Sequence, residues 1–158
     1  SEMWYPRFRF AEALLIAAEA AYELGGVNKV KAVEYINRVR ARGGIKELTE
    51  STITFEHIVN EYRVEFAFED HRWWDLKRWR LAHTVWNGVI DSPTAQMYSL
   101  FPYKVYAPGS PYDGKWAFEK SRSYMAPNAR NFTMRCYYGS IDDGWINKNP
   151  KLVKNPLQ

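Results

Sequence analysis

The sequence is poor in residues that support disulfides or metal sites. Its single cysteine, Cys136, excludes an internal disulfide and gives no indication of compartment. The three histidines, His57, His71 and His83, are separated along the chain, and the acidic pair at 142–143 stands alone. Metal sites need several such ligands brought together, so we expect no metal and no other cofactor.

Long apolar runs and clusters of basic residues are also missing. The longest apolar run, from Ala11 to Ala21, is interrupted by Glu12 and Glu19, so no membrane-spanning helix is expected. The net charge is +4, but no three Lys or Arg residues are adjacent from Lys120 onward. We therefore expect no nucleic-acid partner. An enzyme or a binder of single-stranded nucleic acid is kept as a third hypothesis. A salt titration of binding would separate it from the others, because phosphate contacts make affinity fall steeply with salt.

Proline is scarce in the first part of the chain and frequent afterwards. Seven of the eight prolines occur from Pro93 onward, where they argue against long helices. A chain of 158 residues is long enough for one core. We predict one domain over residues 1–158, mainly α, with a helical scaffold over about 7–86. Residues of about 87–158 are expected to form an irregular, Pro- and aromatic-rich loop region with few short strands.

Apolar spacing predicts four helices packed as antiparallel pairs. They span about residues 7–24, 28–42, 54–69 and 72–86. Gly25–Gly26 and Gly43–Gly44 indicate the ends of the first two helices. Asn28 and Thr54 are expected N-caps. Helix pairs in tandem indicate a tetratricopeptide-like scaffold. Such a scaffold is compatible with a helical-repeat adaptor for protein–protein contacts, which is the alternative to the function that the resemblance described below implies.

The stretch from Glu61 to Arg80 contains five acidic and five basic residues. Paired carboxylates suit acid–base catalysis, but no His, Cys or Ser is placed to complete a nucleophile–base pair. Alternating charges on adjacent helices are typical of ion pairs. We therefore predict a structural ion-pair network and no catalytic residues. Its expected members are Glu65, Arg72, Asp75 and Arg78.

Four segments resemble the C-terminal part of the SusD/RagB family. They are RFRFAEALLIAAEAAYELG at 7–25, KAVEYINRVRARGGI at 31–45, IVNEYRVEFAFEDHRWWDLKRW at 58–79 and NKNPKLVKNP at 147–156. They occur in the family's order. The chain departs from the family pattern at a few positions, namely Gly43, Tyr62, Asp70 and Lys154.

The resemblance implies a cell-surface nutrient-binding protein of the outer membrane that does not cleave its ligand. Members are glycan-binding lipoproteins that deliver oligosaccharides to a SusC-like, TonB-dependent transporter, and an N-terminal lipid anchor tethers them to the membrane. They are several times longer than 158 residues. We therefore expect this chain to be the C-terminal part of such a domain, without the N-terminal half and its anchor. An isolated part of a solenoid would expose apolar surface that the missing repeats cover.

The loop-rich region holds aromatic rings that no helical periodicity explains. Trp and Tyr rings stack on the flat C–H faces of sugars, and polar neighbours bond the hydroxyl groups. The alternative is that these rings anchor the loops to the helices. The candidate ligand-binding residues are Trp86, Tyr112 and Trp116.

Overall fold

The computed structural model describes residues 8–122 and 126–157. The chain divides into two compact units, residues 1–75 and residues 76–158. The sequence analysis placed the boundary between the helical scaffold and the loop-rich region near residue 86. The described residues are mainly helical with one small two-stranded sheet. The mainly α class predicted from the sequence is therefore confirmed.

Three helices form most of the first unit. Helix α1 spans Phe10–Leu24, α2 spans Lys29–Arg42 and α3 spans Phe55–Glu65. Helix α1 packs against both α2 and α3. Their apolar faces supply the buried side chains of this unit, which include Leu15, Ala18, Ala32, Ile36, Val39, Ile58, Tyr62 and Phe66.

The glycine stops were predicted correctly. Gly25 adopts a φ of 65°, which a residue with a side chain rarely adopts, and its N–H donates to the Tyr22 carbonyl. The start of α1 was predicted too early. The helix begins at Phe10, and Phe8 is exposed outside it, while Arg7 lies outside the described residues.

The two predicted N-caps had different outcomes. Asn28 makes no side-chain cap, because it belongs to a short 3-10 turn (Gly26–Asn28) and already has helical backbone angles. That prediction was wrong. Thr54 has an extended backbone, and its hydroxyl accepts from the His57 N–H at 3.3 Å, while His57 Nδ1 accepts from the Thr54 N–H at 3.2 Å. This capping box confirms the start of α3, with His in the place where Glu or Gln is usual.

The third and fourth helices are shorter than the apolar spacing predicted. Helix α3 ends at Glu65 and not near residue 69, and a turn over 66–70 follows. Phe68 and Asp70 adopt positive φ values of 68° and 60° in that turn. A residue with left-handed backbone angles cannot continue a right-handed helix. The apolar periodicity therefore extends beyond the residue at which the helix ends.

The helix expected over 72–86 is two helices. Helix α4 spans His71–Arg78, and the single-turn α5 spans Ala82–Val85. Arg80 lies between them with a φ of 60°, which interrupts the helical path for the reason given above.

The second unit contains a β-hairpin. Strand β1 (Tyr98–Lys104) pairs antiparallel with β2 (Trp116–Arg122). A 3-10 helix over Met134–Tyr137 and helix α6 (Asp143–Lys148) follow. The few short strands predicted for this region are therefore found.

A small core closes the second unit around segments that are distant in sequence. Leu76, Ala82, Trp86 and Phe132 are buried together. The Phe132 N–H donates to the Trp86 carbonyl at 2.7 Å, and the Gly88 N–H donates to the Arg130 carbonyl at 2.9 Å. Burial of these side chains and the two backbone bonds hold residues 86–88 against residues 130–132.

Helices α1 and α2 and the turn between them leave large apolar side chains exposed. They are Phe10, Ile16, Leu24, Val27 and Val30. Exposed apolar side chains on adjacent elements are typical of a surface that contacts other protein. That the chain is part of a larger helical scaffold stays a prediction. Among the described residues, no helix combines the length and the apolar character needed to cross a membrane.

Candidate functional site

The structure separates the three candidate ligand-binding rings. Trp86 is only 5% exposed, and its ring lies 6.1 Å from the Phe132 ring in the core of the second unit. Its faces are occupied by packing, so the interpretation of Trp86 as a ligand-stacking residue is corrected to that of a core residue. Tyr112 and Trp116 are 65% and 64% exposed.

The exposed rings lie on and beside the β-hairpin. Residues directly opposite in an antiparallel pair share a face, and successive residues alternate between faces. Trp116 stands opposite Lys104, and Phe118 stands opposite Pro102. These four side chains therefore lie on one face of the hairpin. The Trp116 and Phe118 rings are both more than 60% exposed there. We call these four residues the hairpin face.

The loop that joins the strands is ordered by its own hydrogen bonds. The Val105 N–H donates to the Lys115 carbonyl, and the Gly114 N–H donates to the Val105 carbonyl, both at 2.9 Å. The Asp113 carboxylate accepts from the Ala107 N–H at 2.8 Å. These bonds hold the backbone of the loop in one conformation, so its side chains project from a defined frame.

Tyr112 lies within this loop beside a cation. Its backbone N–H donates to Ser110 Oγ at 3.2 Å, and Lys115 Nζ lies 5.6 Å from its ring centroid. That distance suits a cation–π contact on an exposed ring. Tyr112 and Lys115 thus place an aromatic surface and a hydrogen-bond donor next to each other.

Polar side chains that lie near these rings in the sequence are mostly hydrogen-bonded to other parts of the chain. Asp113 caps the loop, and Asn87 Oδ1 accepts from the Val89 N–H at 3.0 Å. Asp91 accepts from the Tyr98 hydroxyl at 2.6 Å and pairs with Arg122 at 3.4 Å. The bond from Tyr98, and secondarily the charge of Arg122, lower the pKa of Asp91 below its usual value.

Phe118 and Pro102 were missed by the sequence interpretation, which considered only isolated Trp and Tyr residues. The spacing of Trp116 and Phe118, two residues apart, is the signal that could have identified Phe118, whereas Pro102 is placed there only by the pairing of the two strands. In a strand, that spacing puts both rings on one side.

The charged stretch in the first unit uses partners that the sequence did not indicate. Arg9 binds the carboxylates of both Glu65 and Glu69, with a distance of 2.8 Å between Nε and Glu69 Oε2. Arg42 Nη2 reaches Glu65 Oε2 at 2.7 Å. The hydrogen bond to Glu69, and then that to Glu65, raise the pKa of Arg9. Glu65 therefore belongs to a network with arginines before it in the chain.

A second ion pair in the first unit is more deeply buried. Arg40 Nη1 lies 2.6 Å from Glu61 Oε2, and the side chains are 13% and 5% exposed. Arg40 also donates from Nε and Nη2 to the Lys46 carbonyl, at 2.9 and 2.6 Å. The pair joins α2, α3 and the segment after α2, which is a structural role.

The network predicted among Glu65, Arg72, Asp75 and Arg78 stays a prediction. Asp75 is buried, with an oxygen 3.9 Å from His71 Nδ1. Burial, and then the charge of Arg63, lower the pKa of Arg72, while Asp75 opposes this change. Arg72 Nη1 is buried without a hydrogen-bond partner. In the part of the chain that the structure describes, no group of three or more His, Cys, Asp or Glu residues is arranged to hold a metal ion.

The chain matches the model of the SusD family over residues 1–157. It is 37% identical over 101 residues to SusD-like protein P2 of Formosa agariphila, covering 56% of this chain and 20% of that protein. It is 33% identical over 107 residues to the starch-binding protein SusD of Bacteroides thetaiotaomicron, covering 63% of this chain and 18% of that protein.

Two solved structures resemble the chain over nearly its whole length. A SusD superfamily protein from Bacteroides vulgatus matches 95% of this chain with a TM-score of 0.55 at 22% identity. Surface glycan-binding protein A from Bacteroides uniformis matches 96% with a TM-score of 0.52 at 26% identity. The chain spans between 18% and 27% of the length of these four proteins.

Proposed function

The chain belongs to the SusD family, and we propose that it is part of a non-catalytic glycan-binding protein. Two similar proteins are a starch-binding protein and a surface glycan-binding protein. The observation in this chain that supports the proposal most directly is the pair of exposed rings on the hairpin face, Trp116 and Phe118, together with exposed Tyr112 in the adjoining loop.

The chemistry of these rings suits a sugar. Each ring offers a flat apolar surface to the C–H groups of a pyranose, and Tyr112 adds a hydroxyl group that can donate or accept. Lys104, on the hairpin face, and Lys115, beside Tyr112, can donate to sugar hydroxyl groups. None of these residues forms a nucleophile–base pair, so the arrangement suits binding and not bond cleavage.

We further propose that α1 and α2 are one helix pair of a tetratricopeptide-like scaffold, and that the whole protein lies at the outer surface of an outer membrane. In this proposal it delivers oligosaccharides to a SusC-like, TonB-dependent transporter. The exposed apolar side chains of α1 and α2 are consistent with further protein surface packing there. The adaptor alternative lacks a comparable observation, since an irregular region with a hairpin follows the helices.

Replacing Tyr112 or Trp116 by Ala is expected to weaken oligosaccharide binding. Loss of one stacking ring should raise the Kd about two- to tenfold, because aromatic contacts of this kind contribute about 0.5–1.5 kcal/mol. The measurement is a calorimetric titration of the full-length protein with a panel of neutral oligosaccharides. Trp145→Ala is the matched control, since Trp145 is equally exposed in α6 but lies outside the hairpin. Unchanged binding in both ring variants would assign the hairpin to the scaffold alone.

The location and the transporter partner are tested separately. The tagged full-length protein, expressed in its own cells, should fractionate with the outer membrane, be accessible to added protease on intact cells, and co-purify with a TonB-dependent transporter. Recovery of the protein in the soluble fraction without a transporter would contradict this part of the proposal and leave the glycan-binding part open to the titration.

A further inference from the structure

A half-open cleft lies in the first unit, between α1 and α2, with a volume of about 370 Å³. Three arginines and an apolar wall line it: Arg9, Arg38 and Arg42, with Phe10, Ala11, Leu14 and Val39. We call it the arginine cleft. It shares no residue with the hairpin face. Its volume lies at the lower end of the range for small-molecule sites, about 300–1,000 Å³.

Two of the three arginines are neutralised by carboxylates, and the third is not. Arg9 binds Glu65 and Glu69, and Arg42 binds Glu65, so these four side chains sum to zero charge. Within residues 8–122 and 126–157, the only charged or aromatic group that contacts the Arg38 guanidinium is the Phe10 ring, whose centroid lies 5.3 Å from the guanidinium carbon. The cleft therefore has a surplus of one positive charge.

The chemistry of the cleft favours a small ligand that is apolar on one side and carries a carboxylate. A guanidinium presents its N–H donors in a planar fork that matches a carboxylate with two parallel hydrogen bonds. Arg9 already donates from Nε, Nη1 and Nη2 to Glu65 and Glu69, and Arg42 donates from Nη2 to Glu65. Within the described residues, Arg38 is therefore the guanidinium of the cleft whose donors remain for a ligand. Leu14 and Val39 are buried in the wall, and Phe10 is exposed at its edge. A hexuronic acid unit combines these features, because it has apolar C–H faces, hydroxyl groups and one carboxylate.

We propose that the arginine cleft binds a uronic acid unit of an acidic oligosaccharide, with Arg38 as the residue that recognises the carboxylate. The choice of a sugar as ligand rests on the proposed function, whereas the requirement for a negative charge comes from the cleft itself. An acidic segment of a protein would satisfy the charge requirement as well, and the experiment separates the two.

The test is a titration of the full-length protein with a trigalacturonate and, in parallel, with the neutral galactose trimer of the same linkage. Arg38→Gln should raise the Kd for trigalacturonate about tenfold or more, because a charge-assisted bidentate contact is lost. It should leave the Kd for any neutral oligosaccharide that binds unchanged. Arg38 is exposed on α2, so the variant should fold, which its melting temperature checks. Lys31→Gln is the control, because it removes one positive charge from the exposed side of the same helix outside the cleft.

Three results would overturn the proposal. They are equal trigalacturonate binding by the wild type and Arg38→Gln, an equal loss in Lys31→Gln, and binding of a glutamate-rich peptide, but not of trigalacturonate, in an Arg38-dependent manner. The last result would identify the cleft as a protein-docking site. The proposed function has a separate outcome, since neutral glycans that bind through Tyr112 and Trp116 would support it whether or not the cleft binds uronate.

Discussion

Replacing Arg40 by Ala is expected to lower the free energy of unfolding by about 3–5 kcal/mol, the range for breaking a buried ion pair. The reason is that Glu61, whose side chain is 5% exposed, would keep its charge in the interior without the guanidinium that compensates it. The Lys46 carbonyl would lose its two donors as well. Urea denaturation of the full chain, followed by circular dichroism, measures this change.

Arg42→Ala is the matched control. Like Arg40, Arg42 lies on α2 and pairs with a glutamate of α3, but the Arg42 side chain is 67% exposed. Glu65 also keeps Arg9 as a partner when Arg42 is removed. Exposed pairs contribute about 0–1 kcal/mol, so this variant should unfold almost as the wild type does. The double variant Arg40→Ala/Glu61→Ala should lose less than the sum of the single variants, because neither charge is then stranded. Equal losses in Arg40→Ala and Arg42→Ala would show that burial of the pair does not determine its contribution.

These ion pairs mark the limit of what the sequence indicates about the first unit. Local signals worked where one residue suffices: Gly25 ends α1, and Thr54 with His57 begins α3. The partners of Glu65 could not be predicted in the same way. Arg9 lies 56 residues from Glu65 in the chain, and only the packing of α1 against α3 brings the two together. The charge pattern within 61–80 therefore suggested partners inside that stretch.

The ends of α3 and α4 could not be predicted from the sequence either. The apolar spacing continues past both ends, yet Phe68, Asp70 and Arg80 adopt left-handed conformations at positions where the sequence has no glycine. Non-glycine residues enter that region only when the surrounding packing stabilises it. The energy that fixes these turns is tertiary, and it is absent from any local window of sequence.

The candidate ligand site stays a prediction. The structure places Tyr112 and Trp116 at exposed positions, as a ligand contact requires. Trp86 looked the same in sequence, since it too lies outside a long apolar stripe. Its burial depends on Phe132, which lies far along the chain and reaches it through the backbone bond between the two residues. The difference between an anchoring ring and a binding ring is therefore set by a contact between distant segments.

That difference predicts opposite consequences for two tryptophans of the second unit. Trp86→Ala is expected to lower the free energy of unfolding by about 3–5 kcal/mol, because removing a buried indole loses its transfer free energy and leaves a cavity. The cavity would lie among Leu76, Ala82 and Phe132, which together form the small core of this unit. Trp116→Ala removes the same side chain from an exposed position and should change stability by no more than about 0.5 kcal/mol.

Denaturation and oligosaccharide titration of both variants, measured in parallel, should show a loss of stability in one variant and a loss of affinity in the other. Trp86→Ala should lose stability and, at temperatures where it remains folded, bind oligosaccharide as the wild type does. Trp116→Ala should keep its stability and lose affinity. If Trp86→Ala were as stable as the wild type and bound more weakly, the ring would be a ligand contact despite its 5% exposure, and residues 86–88 and 130–132 would have to move to admit a sugar. If Trp116→Ala were the destabilised variant, the hairpin face would be a packing surface of the larger protein.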